Sequence, residues 1–100
     1  HPGRFGIGFC EYIDSGPDFG DVATVELLNG GSRKGENERA QELAEQRGFR
    51  GIGGSDAHFT SAVGTCLTDF PGQIRTEAEL VEALRAGDFQ AVRLEDTNHR

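Results

Sequence analysis

The sequence predicts an α/β fold built from repeated β-α-β units. Two observations support this prediction. Short apolar, β-branched stretches typical of buried strands alternate with amphipathic stretches typical of helices, and a glycine stands where each helix should end. Strands joined by a helix usually pair in parallel through a right-handed crossover. Because ligands in such folds bind beyond the carboxyl ends of the strands, functional residues are expected there.

The first predicted unit contains two strands and one helix. Residues 22–28 are almost continuously apolar and are followed by an Asn-Gly-Gly turn, which indicates a buried strand. Residues 36–47 are rich in helix-forming Glu, Gln, Arg, Ala and Leu, and Gly48 follows as a typical helix-ending glycine. Residues 49–53 form the next short strand, which leads into a Gly-Ser-Asp-Ala-His segment.

The second predicted unit repeats this order. Residues 63–68 are a candidate strand, followed by a Phe-Pro-Gly turn. Thr76 begins a capping box that Glu79 completes, so a helix is expected to start there and to end at Gly87. Residues 89–94 alternate between apolar and polar side chains and form a plausible last strand. The apolar face of the second helix consists of Leu80, Val81 and Leu84.

These elements make one domain over residues 1–94, followed by a polar tail over residues 95–100 that contains His99 and is expected to fray. The formal net charge of −7 argues against a nucleic-acid-binding surface, which is normally basic. It does not exclude a phosphorylated substrate, because bound cations would reverse the local field. No apolar run approaches the ~20 residues of a membrane span, and no signal-peptide pattern is present. Cys10 and Cys66 are widely spaced, which favours reduced thiols and a cytoplasmic location.

The Ser55-Asp56-Ala57-His58 segment carries the clearest functional signal. Asp56 and His58 are two residues apart, so on an extended segment both side chains leave the same face. A carboxylate and an imidazole together can share a divalent cation, and they suit Zn, Mn or Fe better than Ca or Mg. Other roles stay open, because Asp56 could form an Asx-turn and His58 could cap a turn.

For other polar residues, the sequence is compatible with either a functional or a structural role. Glu26 interrupts the first strand and could be either a functional carboxylate or a buried one that faces a main-chain donor. Asn29 and Ser55 could line a cleft, although a turn role is favoured for Asn29.

Four segments resemble, in order and spacing, the carboxyl-terminal half of PHP-domain metal-dependent phosphoesterases, where PHP stands for polymerase and histidinol phosphatase. The resemblance covers about residues 1–70, and the last helix and strand fit as the closing unit. It implies a distorted seven-stranded β/α barrel with two or three divalent metal ions at its carboxyl-terminal face. The segments are His1-Pro2-Gly3-Arg4-Phe5, Val25-Glu26-Leu27-Leu28-Asn29-Gly30, Gly53-Gly54-Ser55-Asp56-Ala57-His58 and Val63-Gly64-Thr65-Cys66-Leu67-Thr68.

The resemblance also implies roles for individual residues. Asp56 and His58 match the last metal motif of the family, which makes them metal ligands at the catalytic centre, and His1 matches its penultimate histidine ligand. Arg4 stands where members of the group can place a phosphate-contacting arginine. A terminal His1 could also be unconnected with metal binding, and Arg4 could be a solvated or structural arginine.

The sequence departs from the family in one respect: the opening His-X-His motif and the middle ligands are absent, since the chain has three histidines. With His1 in place of an initiator Met, the chain is expected to be the carboxyl-terminal part of a larger protein. The missing half would supply the other ligands, and the isolated chain is expected to be inactive and prone to self-association through exposed strand edges.

Three functions are therefore compatible with the sequence. The first is part of a metal-dependent phosphoesterase that hydrolyses a small phosphorylated metabolite or nucleotide. The second is a non-catalytic PHP-like binding or scaffold module. The third is an unrelated small α/β domain in which Asp56 and His58 satisfy a turn.

Overall fold

In the part of the chain that the structure describes, two helices and four short strands form a small mixed α/β domain. The computed structural model describes residues 1–13 and 20–97, so His99 lies outside the described residues. The predicted α/β class is confirmed, whereas the distorted seven-stranded barrel stays a prediction. The elements are β1 (Thr24–Asn29), α1 (Glu36–Arg47), β2 (Arg50–Gly54), β3 (Cys66–Asp69), α2 (Glu77–Ala86) and β4 (Gln90–Arg93), with 3-10 helices at Phe9–Glu11, Thr60–Ala62 and Leu94–Thr97.

The first β-α-β unit forms as the sequence predicts. Strands β1 and β2 pair in parallel, and α1 is the connection between them. Helix α1 has the predicted bounds because left-handed glycines stand at both of its ends, Gly35 with a φ of 91° and Gly48 with a φ of 71°. The helix packs against β1, and these two elements supply most of the small core. The buried apolar residues are Leu28, Ala40, Leu43, Ala44 and Cys66.

Strand β1 contains an irregularity at Leu27. Glu26 is the partner of Ile52 in β2 and Leu28 is the partner of Gly53, so Leu27 has no partner of its own. Such a bulge interrupts the alternation of side chains along the strand. Residues three apart, which would point to opposite faces of a regular strand, can then meet on one face, and Glu26 and Asn29 do so.

The second unit differs from the prediction. Strands β3 and β4 pair antiparallel, so the prediction of a second parallel β-α-β unit is wrong. Helix α2 lies between these two strands in the chain and reverses its direction. Strand β3 also starts later than predicted, because a 3-10 helix at Thr60–Ala62 and a turn at Gly64 (φ 79°) occupy the preceding residues.

The side chain of Thr68 forms a hydrogen-bonded link between the two sheets. The hydroxyl of Thr68 in β3 lies 2.9 Å from both the main-chain nitrogen and the main-chain oxygen of Gly53 in β2. It accepts from the N–H and donates to the carbonyl, and thus replaces strand pairing at this point. The approach is close enough that a Cβ atom on Gly53 would lie 2.3 Å from the Leu67 carbonyl oxygen. Glycine is therefore required here to bring β3 beside β2.

Helix α2 begins as predicted but packs little. The Thr76 side chain accepts from the Glu79 N–H at 3.1 Å, which confirms the capping residue. The Glu79 carboxylate accepts from the N–H of Arg75 at 2.9 Å instead of completing the expected box with Thr76. On the apolar face of the helix, Leu80 and Val81 are 36% and 39% exposed, and no residue described in α2 is buried.

Two sequence expectations concern the chain end and membranes. Residues 95–97, expected in a frayed tail, belong to the 3-10 helix Leu94–Thr97. Within this helix the Thr97 hydroxyl donates to the Leu94 carbonyl at 2.7 Å. Among the residues that the structure describes, no helix is long and apolar enough to cross a membrane.

Candidate functional site

Five polar residues gather at the carboxyl ends of β1 and β2, where the fold predicts ligand binding. Nε2 of His1 lies 3.5 Å from Oδ2 of Asp56, and the Asn29 amide lies between His1 and Glu26. His58 is adjacent, with its Nδ1 3.9 Å from Oδ1 of Asp56. The site thus combines two carboxylates, two imidazoles and one amide.

Asp56 occupies the centre of the site in an unusual backbone conformation. Its φ of 51° is the one positive value among the non-glycine residues that the structure describes. Asp tolerates this left-handed region better than most residues, and such conformations often occur at functional sites. Strand β2 ends at Gly54, so the prediction that Asp56 and His58 lie on one extended segment is wrong. Gly31 leaves room for the carboxylate, since a Cβ atom there would lie 3.1 Å from Oδ2 of Asp56.

The ring orientation of His58 is set by the turn at Asp56. Nδ1 of His58 lies 2.8 Å from the Asp56 main-chain oxygen. A carbonyl oxygen can only accept, so Nδ1 carries the proton and donates it in this hydrogen bond. In the neutral ring Nε2 is then left with a free lone pair. The side chain is 79% exposed, so this nitrogen is accessible to a ligand. Metal-binding histidines commonly have this arrangement, with the second ring nitrogen bonded to a carbonyl.

In His1 the proton lies on the other ring nitrogen than in His58. Oδ1 of Asn29 accepts from the Gly31 N–H at 2.8 Å, and Nδ2 of Asn29 donates to Oε1 of Glu26 at 2.9 Å. These two contacts fix the amide so that Nδ2 also faces Nδ1 of His1, at 3.1 Å. Nδ1 of His1 is therefore an acceptor, and the neutral ring carries its proton on Nε2, towards Asp56.

Helix α1 supports this network through Asn37. The Asn37 side chain accepts from the Asn29 N–H at 2.9 Å and donates to the Asn29 carbonyl at 3.0 Å. Both residues are buried. The end of β1 is therefore held in place by a side chain of the next helix, and the Asn29 amide is presented to the site from a fixed backbone.

The amino-terminal segment, which carries His1 and Arg4, is attached to α1 by Glu36. The Glu36 carboxylate accepts from the N–H of Phe5 at 2.9 Å and from the N–H of Arg33 at 2.7 Å. These two main-chain donors lower the pKa of the Glu36 carboxyl below its ordinary value. Gly3 packs directly on the helix, because a Cβ atom there would overlap the Glu36 carbonyl.

Sequence reasoning missed the supporting roles of Glu36 and Asn37. The signal that could have indicated them is their position in the first turn of α1, directly after Gly35, where polar side chains can satisfy main-chain groups of neighbouring segments. Arg4 is exposed and borders the same cavity as His1 and Glu26.

The three predicted metal ligands thus form two close pairs that share Asp56. His1 and His58 each approach Asp56, and these donor types fit Mn, Fe or Zn. The described part of the chain has no group of three or more His, Cys, Asp or Glu side chains arranged to hold a metal ion.

A family model described as PHP-associated matches residues 34–89, which is more than half of the chain and includes Asp56 and His58. The chain belongs to the PHP-associated family. The resemblance to the carboxyl-terminal part of PHP-domain proteins is therefore confirmed. His1 and Arg4 lie outside the residues that the family model matches. No curated protein and no solved structure matches the chain.

Proposed function

We propose that this PHP-associated chain is part of a metal-dependent phosphoesterase that hydrolyses a small phosphorylated metabolite or nucleotide. The approach of His1 to Asp56 at the carboxyl end of the parallel strand pair is the observation that carries this proposal. The remaining strands of a distorted seven-stranded β/α barrel, and the remaining ligands, would come from an amino-terminal half of the protein.

Asp56, His58 and His1 would hold divalent ions of Mn, Zn or Fe, two or three of them in the intact domain. When bound, such ions polarise phosphoryl oxygens and lower the pKa of a water molecule to near neutrality. His58 is ready to ligate through Nε2, because its Nδ1 proton is held by the Asp56 carbonyl. Arg4 would bind non-bridging oxygens of the phosphoryl group as a planar donor fork.

Ligation by His1 requires a local rearrangement. Its Nε2 carries the proton while Asn29 donates to Nδ1. A tautomer with a free Nε2 needs an acceptor beside Nδ1, which rotation of the Asn29 amide would provide at the expense of its bonds to Gly31 and Glu26. His58 and Asp56 are thus expected to bind a metal ion before His1 does.

The test compares Asp56→Asn with Asp88→Asn in metal content and metal-dependent thermal shift. Asn tolerates the positive φ of residue 56, so a loss of binding is not confused with backbone strain. Asp88 is exposed and lies outside the site, which makes it the matched control. At a hundredfold excess over Kd, a bound ion should stabilise the protein by about 2.7 kcal/mol.

We expect Mn²⁺ or Zn²⁺ to raise the melting temperature of the wild type and of Asp88→Asn but not of Asp56→Asn. An equal shift in all three proteins would refute the proposed site. Metal binding without metal-dependent phosphomonoester hydrolysis by the full-length protein would support a non-catalytic binding or scaffold module instead.

A further inference from the structure

The side-chain amide of Asn29 is the centre of a hydrogen-bond network beside the predicted metal ligands. Its Oδ1 accepts from the Gly31 N–H at 2.8 Å. Its Nδ2 lies 2.9 Å from Oε1 of Glu26 and 3.1 Å from Nδ1 of His1. An amide nitrogen carries two hydrogen atoms, so Nδ2 can donate to both partners at once. The whole hydrogen-bonding capacity of this nitrogen is therefore used.

The direction of these hydrogen bonds is set by two groups that cannot reverse their roles. A main-chain N–H can only donate, so the amide atom that faces Gly31 has to be the oxygen. An ionised carboxylate can only accept, so the amide atom that faces Glu26 has to be the nitrogen. Both conditions require the same orientation of the amide. In this orientation Nδ1 of His1 faces a donor, and the neutral ring carries its proton on Nε2.

The amide is held in this orientation by buried contacts. Asn29 is only 4% exposed, and the Asn37 side chain bonds both of its main-chain groups. Rotation of the amide would break the bonds to Gly31 and Glu26 and turn Oδ1 towards the Glu26 carboxylate. Little water can reach the amide to replace the lost bonds. The ring of His1 therefore meets a fixed donor and not an adaptable partner.

We propose that Asn29 is a positioning residue that keeps His1 in the tautomer with its proton on Nε2, and that it thereby weakens metal binding by His1. The inference rests on the proposed function, because it concerns the same metal ligands. His58 has a carbonyl acceptor beside Nδ1 and a free lone pair on Nε2, whereas His1 has a donor beside Nδ1. The two sides of Asp56 thus differ in metal affinity, and the weaker side is the one with His1.

The test exchanges the amide and the carboxylate in the double variant Glu26→Gln/Asn29→Asp. The exchange keeps the net charge and allows the same number of hydrogen bonds, with the bond to His1 reversed. The new carboxylate at position 29 accepts from the Gly31 N–H, from the amide at position 26 and from Nδ1 of His1. The control is Glu26→Gln alone, in which Gly31 still fixes the orientation of Asn29.

Two quantities are measured on the full-length protein. The tautomer of His1 is obtained from the ring ¹⁵N chemical shifts without metal, at an alkaline pH at which free histidine is neutral. The signal that disappears in His1→Gln identifies the ring. Calorimetry then gives the dissociation constants for Mn²⁺, and the ion that His1→Gln loses is the one bound by His1.

We expect the proton of His1 on Nε2 in the wild type and in Glu26→Gln, and on Nδ1 in the double variant. The dissociation constant of the ion bound by His1 should fall about tenfold in the double variant, the lower end of what partners of metal-binding histidines contribute. Glu26→Gln should bind this ion no more tightly than the wild type, because it keeps the donor and loses a negative charge.

The outcomes separate this inference from the proposed function. A wild-type ring with its proton on Nδ1 would overturn the inference and leave the phosphoesterase function standing, and this measurement does not depend on the folding of the double variant. A reversed tautomer without tighter Mn²⁺ binding would also overturn it, because Asn29 would then orient the ring without limiting metal binding. If the wild type binds neither Mn²⁺ nor Zn²⁺, both the inference and the proposed function are overturned.

Discussion

The imidazole of His1 and the carboxylate of Asp56 lie side by side, with Nε2 of His1 3.5 Å from Oδ2 of Asp56, although the two residues are far apart in the sequence. The amino-terminal segment brings His1 to the end of β1, and the turn after β2 brings Asp56 to the same place. Their proximity therefore depends on the attachment of both segments to the β1-α1-β2 unit. The following predictions test those attachments.

Replacement of Gly53 should disturb the junction between the two sheets. In Gly53→Ala the new Cβ atom would lie 2.3 Å from the Leu67 carbonyl oxygen, which is main chain and cannot move independently. We expect the free energy of unfolding to fall by about 1–3 kcal/mol, as is typical of overpacking. Urea unfolding measures the change. Gly72→Ala is the control, because nothing lies within 4 Å of a Cβ atom there. Equal stabilities of the two variants would contradict the close approach of β2 and β3.

Asn37→Ala should weaken the end of β1. The substitution leaves both main-chain groups of Asn29 without their buried partner, and one unpaired buried group costs about 1–3 kcal/mol. We expect a loss of about 2 kcal/mol or more in the free energy of unfolding. Gln46→Ala removes an exposed amide from the same helix and should change it by less than about 0.5 kcal/mol. If chemical denaturation gives the same midpoint for both variants, Asn37 does not support the site.

The contribution of Glu36 to stability should depend on pH. Its carboxyl has a lowered pKa in the folded state, because the N–H groups of Phe5 and Arg33 stabilise its charged form. The stabilisation is therefore present above the ordinary value of 4.5 and is lost as the pH falls through the lower folded-state value.

In the corresponding experiment, Glu36→Gln should melt at a lower temperature than the wild type at pH 7, and the difference should shrink as the pH falls below about 4.5. Melting curves from pH 7 to pH 3 measure it. Glu42→Gln, on an exposed position of the same helix, should show no such trend. A difference that stays constant over this range would argue against a charged Glu36 as the anchor of the amino-terminal segment.

Thr76 should control the first turn of α2. Thr76→Ala removes the acceptor of the Glu79 N–H and should destabilise the start of the helix by about 1 kcal/mol. Because α2 packs weakly, the loss of stability at its start should be clearer in local opening than in global unfolding. Hydrogen exchange at the Glu79 amide should accelerate about fivefold in Thr76→Ala and should stay near the wild-type rate in Thr76→Ser, which retains the hydroxyl. Equal exchange rates in the two variants would show that the cap has no role.

Local sequence determined the first half of the fold. Helix α1 has the predicted bounds because Gly35 and Gly48 end it sharply and because the residues between them favour a helix. The same signals predict the parallel pairing of β1 with β2 and place Asp56 and His58 just beyond the end of a strand. These features depend on residues that are close together in the chain, and such patterns can be read from the sequence.

Only the tertiary structure decided how the site is assembled. The bulge at Leu27 turns Glu26 and Asn29 to one face, the positive φ of Asp56 turns His58 back onto its carbonyl, and the hydroxyl of Thr68 joins β3 to β2. Asn37 and Glu36 then attach the end of β1 and the segment of His1 to α1. Each of these arrangements depends on backbone geometry or on partners distant in the chain. Local propensities do not specify such contacts, because their free energy exists only once the segments have packed together.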